Sequence, residues 1–231
     1  MSDDRKILQV KHVIYLVNVG ANSSHKPLFS PLLPDGRFDF VPIPEKWTPN
    51  CPLLPRYMDL KFRWFKTEEL IPAKFLTVRV HNDPCFDDPS YGDIYSIRWR
   101  GVRLSDNMTL VFYARLKRID NKRSVFGIIG WLQGEKLYKI REWKREFERL
   151  KNPHILRFKY TKRYDRSWVC VGEGELLDRT ILFTPELACV LFPSLSNKIR
   201  EFVTRFGYMR GLGMLFRSVR RIENPGELDI F

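Results

Sequence analysis

The chain has 231 residues, 44% of them hydrophobic and 14% aromatic, enough apolar material for one large domain or two small ones and too much for a disordered tail. Against 27 Asp+Glu stand 40 Lys+Arg, a formal +13, and a surplus of that size sets up a positive field whose usual partners are polyanions. A thermophile surface would raise both signs together; the scarcity of glutamine (Gln9 and Gln133) fits that reading, but the excess of bases does not.

The first residues carry Asp3 and Asp4 where a secretory signal needs bases, and the apolar run 13–19 is too short to span a bilayer. No other apolar run approaches twenty residues, so the expectation is a cytoplasmic protein that neither crosses a membrane nor is secreted. Residues 12–19 (HVIYLVNV) read as a buried strand, rich in β-branched side chains. Residues 20–57 hold eight of the fifteen prolines, which remove backbone donors and fix φ. Phe29, Leu32, Phe38, Val41, Trp47 and Leu54 interleave with them, so this stretch reads as an ordered loop laid over the core.

Further strands are expected at 75–80 (FLTVRV), 108–116 (MTLVFYARL), 125–132 (VFGIIGWL) and 168–171 (WVCV). Asp120-Asn121 between the second and third marks a hairpin turn, and Gly127 and Gly130 inside a strand suggest a bulge or a close backbone approach. Apolar spacing predicts a helix over 135–151, stopped by Asn152-Pro153. Another helix is expected from Ser194–Ser196 to about Phe206, with Gly207 at its C-terminal end. No domain boundary is evident, so a single domain is expected over 1–231, with a basic C-terminal extension from about 195.

The positive charge is concentrated. Residues 136–166 hold twelve bases against four acids, a local +8, and Tyr138, Trp143, Phe158, Tyr160 and Tyr164 lie among them. Residues 198–221 add seven bases against Glu201. Cationic groups neutralise phosphate while aromatic faces stack on bases. The candidate nucleic-acid contacts are therefore Lys136, Lys139, Arg141, Lys144, Arg145, Arg149, Arg157, Lys159, Lys162, Arg163 and Arg166 in the first cluster, with Arg205, Arg210 and Arg217 in the second. A solvated helix face with weak surface pairs accounts for any one of these residues; the cluster as a whole points to an anion.

His81, Asp83, Asp87, Asp88 and Asp93 form an acidic patch in a turn-rich loop. Carboxylates beside a histidine suit acid–base chemistry or a divalent ion, yet the spacing matches no specific metalloenzyme pattern and Asx-turns explain it too. His25 sits beside Ser23 and Ser24, a sequence adjacency that rarely produces a nucleophile–base geometry. His12 and His154 read as structural. Cys51, Cys85, Cys170 and Cys189 are widely spaced, without a CxxC pair, and read as free thiols. There is no P-loop and no GxGxxG. No metal or cofactor is expected.

Several landmarks recur in order: Ser30-Pro31 with Pro34-Asp35-Gly36, Val41-Pro42-Ile43-Pro44-Glu45, His81-x-Asp83-Pro84, Gly92-Asp93, Phe112-Tyr113, Ile128-Ile129-Gly130-Trp131 and Asn152-Pro153-His154. Over about residues 13–190 the chain resembles the nucleotide modification associated domain 3 family. The resemblance implies a role with modified or handled nucleotides, without assigning a reaction, and site positions at Pro34, Asp35, Gly36, Pro44, Glu45, His81, Asp83 and Asp93. A second similarity, to the small EVE, ASCH and YTH barrels that read modified bases, implies an aromatic pocket for a flipped base. Asp35, Glu45, Trp99, Tyr113 and Trp131 are the candidates to line it.

The expected fold is α+β: a mixed or mostly antiparallel sheet, with a partly closed PUA-like barrel as its candidate closure, and two principal helices. The leading functional expectation is a module that binds DNA or RNA, including modified bases, with both basic clusters flanking one hollow. Two alternatives stand beside it. One is a nucleic-acid or nucleotide processing enzyme (nuclease, glycosylase or modification factor) using His81, Asp83 and Asp93; the other is an adaptor for an acidic protein.

Overall fold

The computed structural model describes residues 12–19, 27–92, 102, 107–140, 149–162, 168–228 and 230. Strand β1 (Val13–Asn18) opens the chain, followed by short β2 (Ser30–Leu32) and β3 (Ile43–Pro44) within the proline-rich stretch. A one-turn helix α1 (Thr67–Leu70), β4 (Val80–His81) and β5 (Ser90–Tyr91) lead to the long strands β6 (Met108–Arg118) and β7 (Ser124–Lys139). Helix α2 (Pro153–Thr161) precedes β8 (Trp168–Leu182). Helices α3 (Pro185–Leu191), α4 (Ser196–Phe206) and α5 (Tyr208–Leu215) and strand β9 (Arg220–Arg221) complete the chain.

The main sheet has the order β5-β8-β7-β6-β1-β9, and β2 also pairs with β6. Antiparallel β6, β7 and β8 form its centre, while β1 and β2 both run parallel to β6, one after the other along the same edge. Among the described residues β5 and β9 do not pair, so the sheet is open and mixed and the PUA-like closure is not seen. No helix among these residues is long and apolar enough to cross a membrane.

Both faces of the central strands are covered, which explains the unbroken apolar run of β6. Leu110, Phe112 and Ala114 point into one core with Tyr15, Val17 and Ile129. Val111 and Tyr113 point the other way with Leu16 and Ile128. The proline-rich stretch covers the first face through Leu32, Phe38 and Phe40, as expected of an ordered loop. Helices α3 to α5 cover the second through Ala188, Leu191, Ile199, Leu212 and Leu215. The basic segment beyond residue 195 thus packs on the same sheet.

The hairpin at Asp120-Asn121 is as expected, with Asn121 Oδ1 accepting the Arg123 amide at 3.0 Å. The β7–β8 register shifts between Ile128 and Gly130, where a Cβ on Gly130 would stand 2.4 Å from the Glu175 carbonyl oxygen. Helix α4 runs to Phe206 and stops at Gly207, whose φ of 77° suits a residue without a Cβ. The four cysteines are free, and Cys51, Cys85 and Cys170 are buried.

Three local expectations are corrected. Residues 135–139 do not begin a helix; they prolong β7 and pair with 168–171 of β8. Pairing with β8 overrides the helical spacing here, as tertiary context overrides local pattern. Residues 141–148 of the expected helix lie outside the described residues, and Asn152-Pro153 starts a helix: Asn152 Oδ1 accepts the His154 amide at 3.0 Å and Pro153 takes the first helical position, where its missing donor costs nothing. Of residues 75–80 only Val80 joins a strand, β4. The rest turns back on itself, and Leu76 and Val78 pack in a small cluster around Tyr57.

Candidate functional site

Short pairings assemble the site. Antiparallel β3 and β4 place Ile43 opposite His81, which brings Glu45, two residues on, alongside the imidazole. The chain then turns through the cis Asp83-Pro84 bond, makes a loop closed by Cys85 and Ser90 backbone bonds, and returns as β5 on the edge of β8. That return carries Gly92 over Asp83, and the cap and N-terminal half of α2 supply Asn152, His154 and Arg157.

The resulting network is buried and almost fully bonded. His81 Nδ1 lies 3.1 Å from Glu45 Oε2, and the Trp47 and Thr48 amides donate to Glu45 Oε1 at 2.6 and 3.0 Å. Arg157 Nη1 reaches both Glu45 oxygens at 3.3 Å, and its Nη2 lies 3.0 Å from His154 Nδ1. Asp83 Oδ1 accepts from the Gly92 amide and from Asn152 Nδ2, each at 3.0 Å. His154 Nε2 lies 3.3 Å from Asp83 Oδ2, but is not aligned to bond with it and has no other partner. The His81 and His154 rings meet edge to face, centroids 4.9 Å apart. The side chains of Glu45 and Asp83 are 0% and 2% exposed, whereas His81 is 14% exposed and gives the cluster its opening.

These surroundings set the protonation states. Burial pushes Glu45 upward, but the His81 hydrogen bond, Arg157, the His81 charge and the Thr48 amide outweigh it and hold the group at about 2. Asp83 is likewise held below its usual range, its burial outweighed by His154, His81 and the Gly92 amide. His154 falls to about 4, chiefly through burial, while Asp83 pulls the other way. Near neutral pH the cluster therefore holds two carboxylates, one guanidinium and a neutral His154. Among the described residues His81, Asp83 and His154 each offer an atom within 4.8 Å of the others, the spacing of a two-histidine, one-carboxylate ligand set.

Gly92 makes this packing possible. A Cβ there would sit 2.5 Å from His154 Cδ2 and 2.7 Å from Asn152 Oδ1. Gly92→Ala is expected to lower stability by about 1–3 kcal/mol, the usual cost of overpacking. Urea unfolding measures it, and an unchanged midpoint would show that the close approach does not constrain the fold.

On the far side of the 81–87 loop a cleft of about 790 Å³ opens between that loop, the 52–63 segment and β8. Asn82, Cys85 and Asp87 line it, but His81 and Asp83 do not. Its cations are Lys61, Arg63, Arg79 and Lys151, and its rings are Phe40, Phe62 and Phe86. Arg63 Nη1 donates to Asp178 at 2.8 Å, while Lys61 and Lys151 are exposed. Asp59, Asp87 and Glu175 add acceptors to the wall.

The residues expected from sequence are dispersed. His81, Asp83 and Glu45 come together; Asp93, Trp99, Arg141, Lys144, Arg145, Arg163 and Arg166 lie outside the described residues, as does His25. Asp35 is on an exposed turn, 2.6 Å from Arg37 Nε. Tyr113, expected in a base pocket, is fully buried in the core, and its hydroxyl donates to the Phe216 carbonyl at 2.7 Å. Trp131 is half-buried on β7, its Nε1 3.3 Å from Glu175 Oε1. Arg157, expected on a phosphate-binding face, is instead buried, its Nη1 3.3 Å from both Glu45 oxygens. Lys136, Arg149 and Lys162 are exposed, Lys159 is half-buried, and Lys139 lies over the Trp168 ring. Arg205 and Arg210 flank the Phe206 ring, and Arg217 is exposed. None of the 198–221 cations lines the cleft, so the two basic clusters do not border this one hollow.

His154, read from sequence as structural, and Arg157, read as a phosphate contact, are both brought into the cluster with His81, Asp83 and Glu45. Their signal was available: three residues apart, near the start of a helix opened by Asn-Pro, they share a face.

The open mixed sheet, the covering loop and the buried acid–imidazole cluster beside a cleft define an α+β protein with a polar site at one sheet edge. The chain belongs to the nucleotide modification associated domain 3 family, whose model matches residues 13–191. That span contains every residue of the cluster and stops at the end of α3. No curated protein and no solved structure matches the chain.

Proposed function

We propose that this protein binds nucleic acid and holds one base, including a modified one, in the cleft beside the 81–87 loop. The observation that carries the reading is the meeting of Lys61, Arg63 and Lys151 with Phe40, Phe62 and Phe86 in one hollow. Its volume lies within the roughly 300–1,000 Å³ of small-molecule sites. Cations at the rim suit phosphates, rings suit stacking, and Asp59, Asp87 and Glu175 suit the donor edge of a base. The exposed bases of α4 and α5, on the other face of the sheet, add to the general field.

The expected result is binding of a fluorescent oligonucleotide that weakens steeply with added salt, measured by anisotropy. Lys61→Glu and Lys151→Glu lower affinity for all sequences alike and flatten the salt dependence. Phe86→Ala costs about 1–3 kcal/mol of binding if a base stacks there. Absence of binding at low salt removes the proposal.

A second reading, an enzyme acting on nucleotides, is favoured by the cluster of His81, Asp83 and His154, since perturbed buried groups gather at catalytic sites. Cleavage or base release that survives Asp83→Asn would argue against it.

A further inference from the structure

Three side chains at metal-ligand spacing suggest an ion, but the neighbours of the two imidazoles dictate something else. Arg157 has no acceptor atom, so at 3.0 Å its Nη2 must donate to His154 Nδ1. That nitrogen then offers its lone pair, and the proton of the neutral ring is on Nε2. Glu45 gives the opposite instruction. Its carboxylate only accepts, so His81 donates from Nδ1 across 3.1 Å and its lone pair is on Nε2. One ring thus presents N–H and the other a lone pair, on rings whose centroids are 4.9 Å apart. A cation needs lone pairs from both, and moving the His154 proton to Nδ1 would turn it against the guanidinium.

A hydroxyl group satisfies both rings at once. Its oxygen accepts from His154 Nε2–H, which has no hydrogen-bond partner, and its proton points to His81 Nε2. We propose that His81, Glu45, Asp83 and His154 form a metal-free proton-transfer site for one hydroxyl-bearing group, a water or an alcohol, with His81 Nε2 as its base. The step balances simply: the O–H proton passes to His81 Nε2, and the oxygen keeps the electron pair as a nucleophile. His81, now an imidazolium, holds its other proton against Glu45, as an orienting carboxylate holds a catalytic histidine. His154 donates to the oxygen as charge develops on it. Asp83, fixed by Gly92 and Asn152, has its Oδ2 3.3 Å from His154 Nε2 and balances the charge. This inference goes beyond the cleft's binding role and does not depend on it.

The test is a long-range proton–nitrogen NMR spectrum of the whole chain near neutral pH, with signals assigned through His81→Gln and His154→Gln. His81 is expected protonated on Nδ1 alone and His154 on Nε2 alone. A His154 protonated on Nδ1, or a doubly protonated His81, overturns the proposal. Titration with Zn²⁺ is expected to leave both ring patterns in place. A one-to-one complex lost in both variants would instead establish a metal site. Diethyl pyrocarbonate, which acylates an imidazole through its free lone pair and releases ethanol and carbon dioxide, is expected to modify His81 and spare His154. Modification of His154 with His81 spared also overturns it.

Discussion

Arg157→Leu is expected to destabilise the fold by about 3–5 kcal/mol, the cost of leaving a buried charge without its partner. The Glu45 side chain is fully buried and Arg157 is 4% exposed, so little water can replace the lost guanidinium. The Trp47 and Thr48 amides and His81 still bond to Glu45, which places the loss nearer the lower figure. In urea unfolding the midpoint falls while the slope is kept. Replacing both partners, Glu45→Leu with Arg157→Leu, recovers much of the loss, since a buried pair exchanged for apolar side chains is often neutral. If the double variant is no more stable than Arg157→Leu alone, the ion pair is not what the single change disturbs.

Acid is the second large lever. His154 has a folded value of about 4 against an ordinary 6.5, so the unfolded chain takes up its proton first. Stability is fully present above pH 6.5 and declines as pH falls toward 4, by about 3 kcal/mol for a shift of this size. Arg157 and His81 face the same ring and oppose its protonation, while Asp83 favours it. Below that window Glu45, held at about 2 against 4.5, takes over, and its contribution drains away as pH falls between those values. Asp83 acts in the same direction. Urea midpoints at pH 8, 6 and 4 record the decline. In His154→Gln the loss between 6.5 and 4 disappears, while the steeper loss at lower pH persists. A wild-type midpoint unchanged from pH 8 to 4 would refute the assignment to His154.

Much of the sheet is legible in the residues because β6, β7 and the start of β8 are β-branched and aromatic runs bounded by clear turns. Residues 135–139 were not, since Leu137 and Ile140 carry helical spacing and only the pairing of 136–139 with 168–171, distant in sequence, makes a strand of them. The proline-rich stretch could be read as ordered but not traced, because its packing on Phe112 and Tyr91 is tertiary. For the site, His81 and Asp83 stand out locally, and Glu45 follows from the family's motif. Arg157 looked like one more base in a basic run. Charge counting assigns every arginine to the surface, and only a buried acceptor such as Glu45, over a hundred positions earlier, shows which one is withdrawn from it.

That separation also bears on how the chain is made. Glu45, His81 and Asp83 leave the ribosome well before His154 and Arg157 exist, so during synthesis Glu45 awaits a guanidinium, and Asp83 an imidazole, that have not been translated. Drying them early would be costly, and the loops that carry them must stay wet until α2 arrives. The strands β6 and β7, neighbours along the chain, face no such wait. Vectorial synthesis therefore favours a sheet that zips first and a polar cluster that closes afterwards.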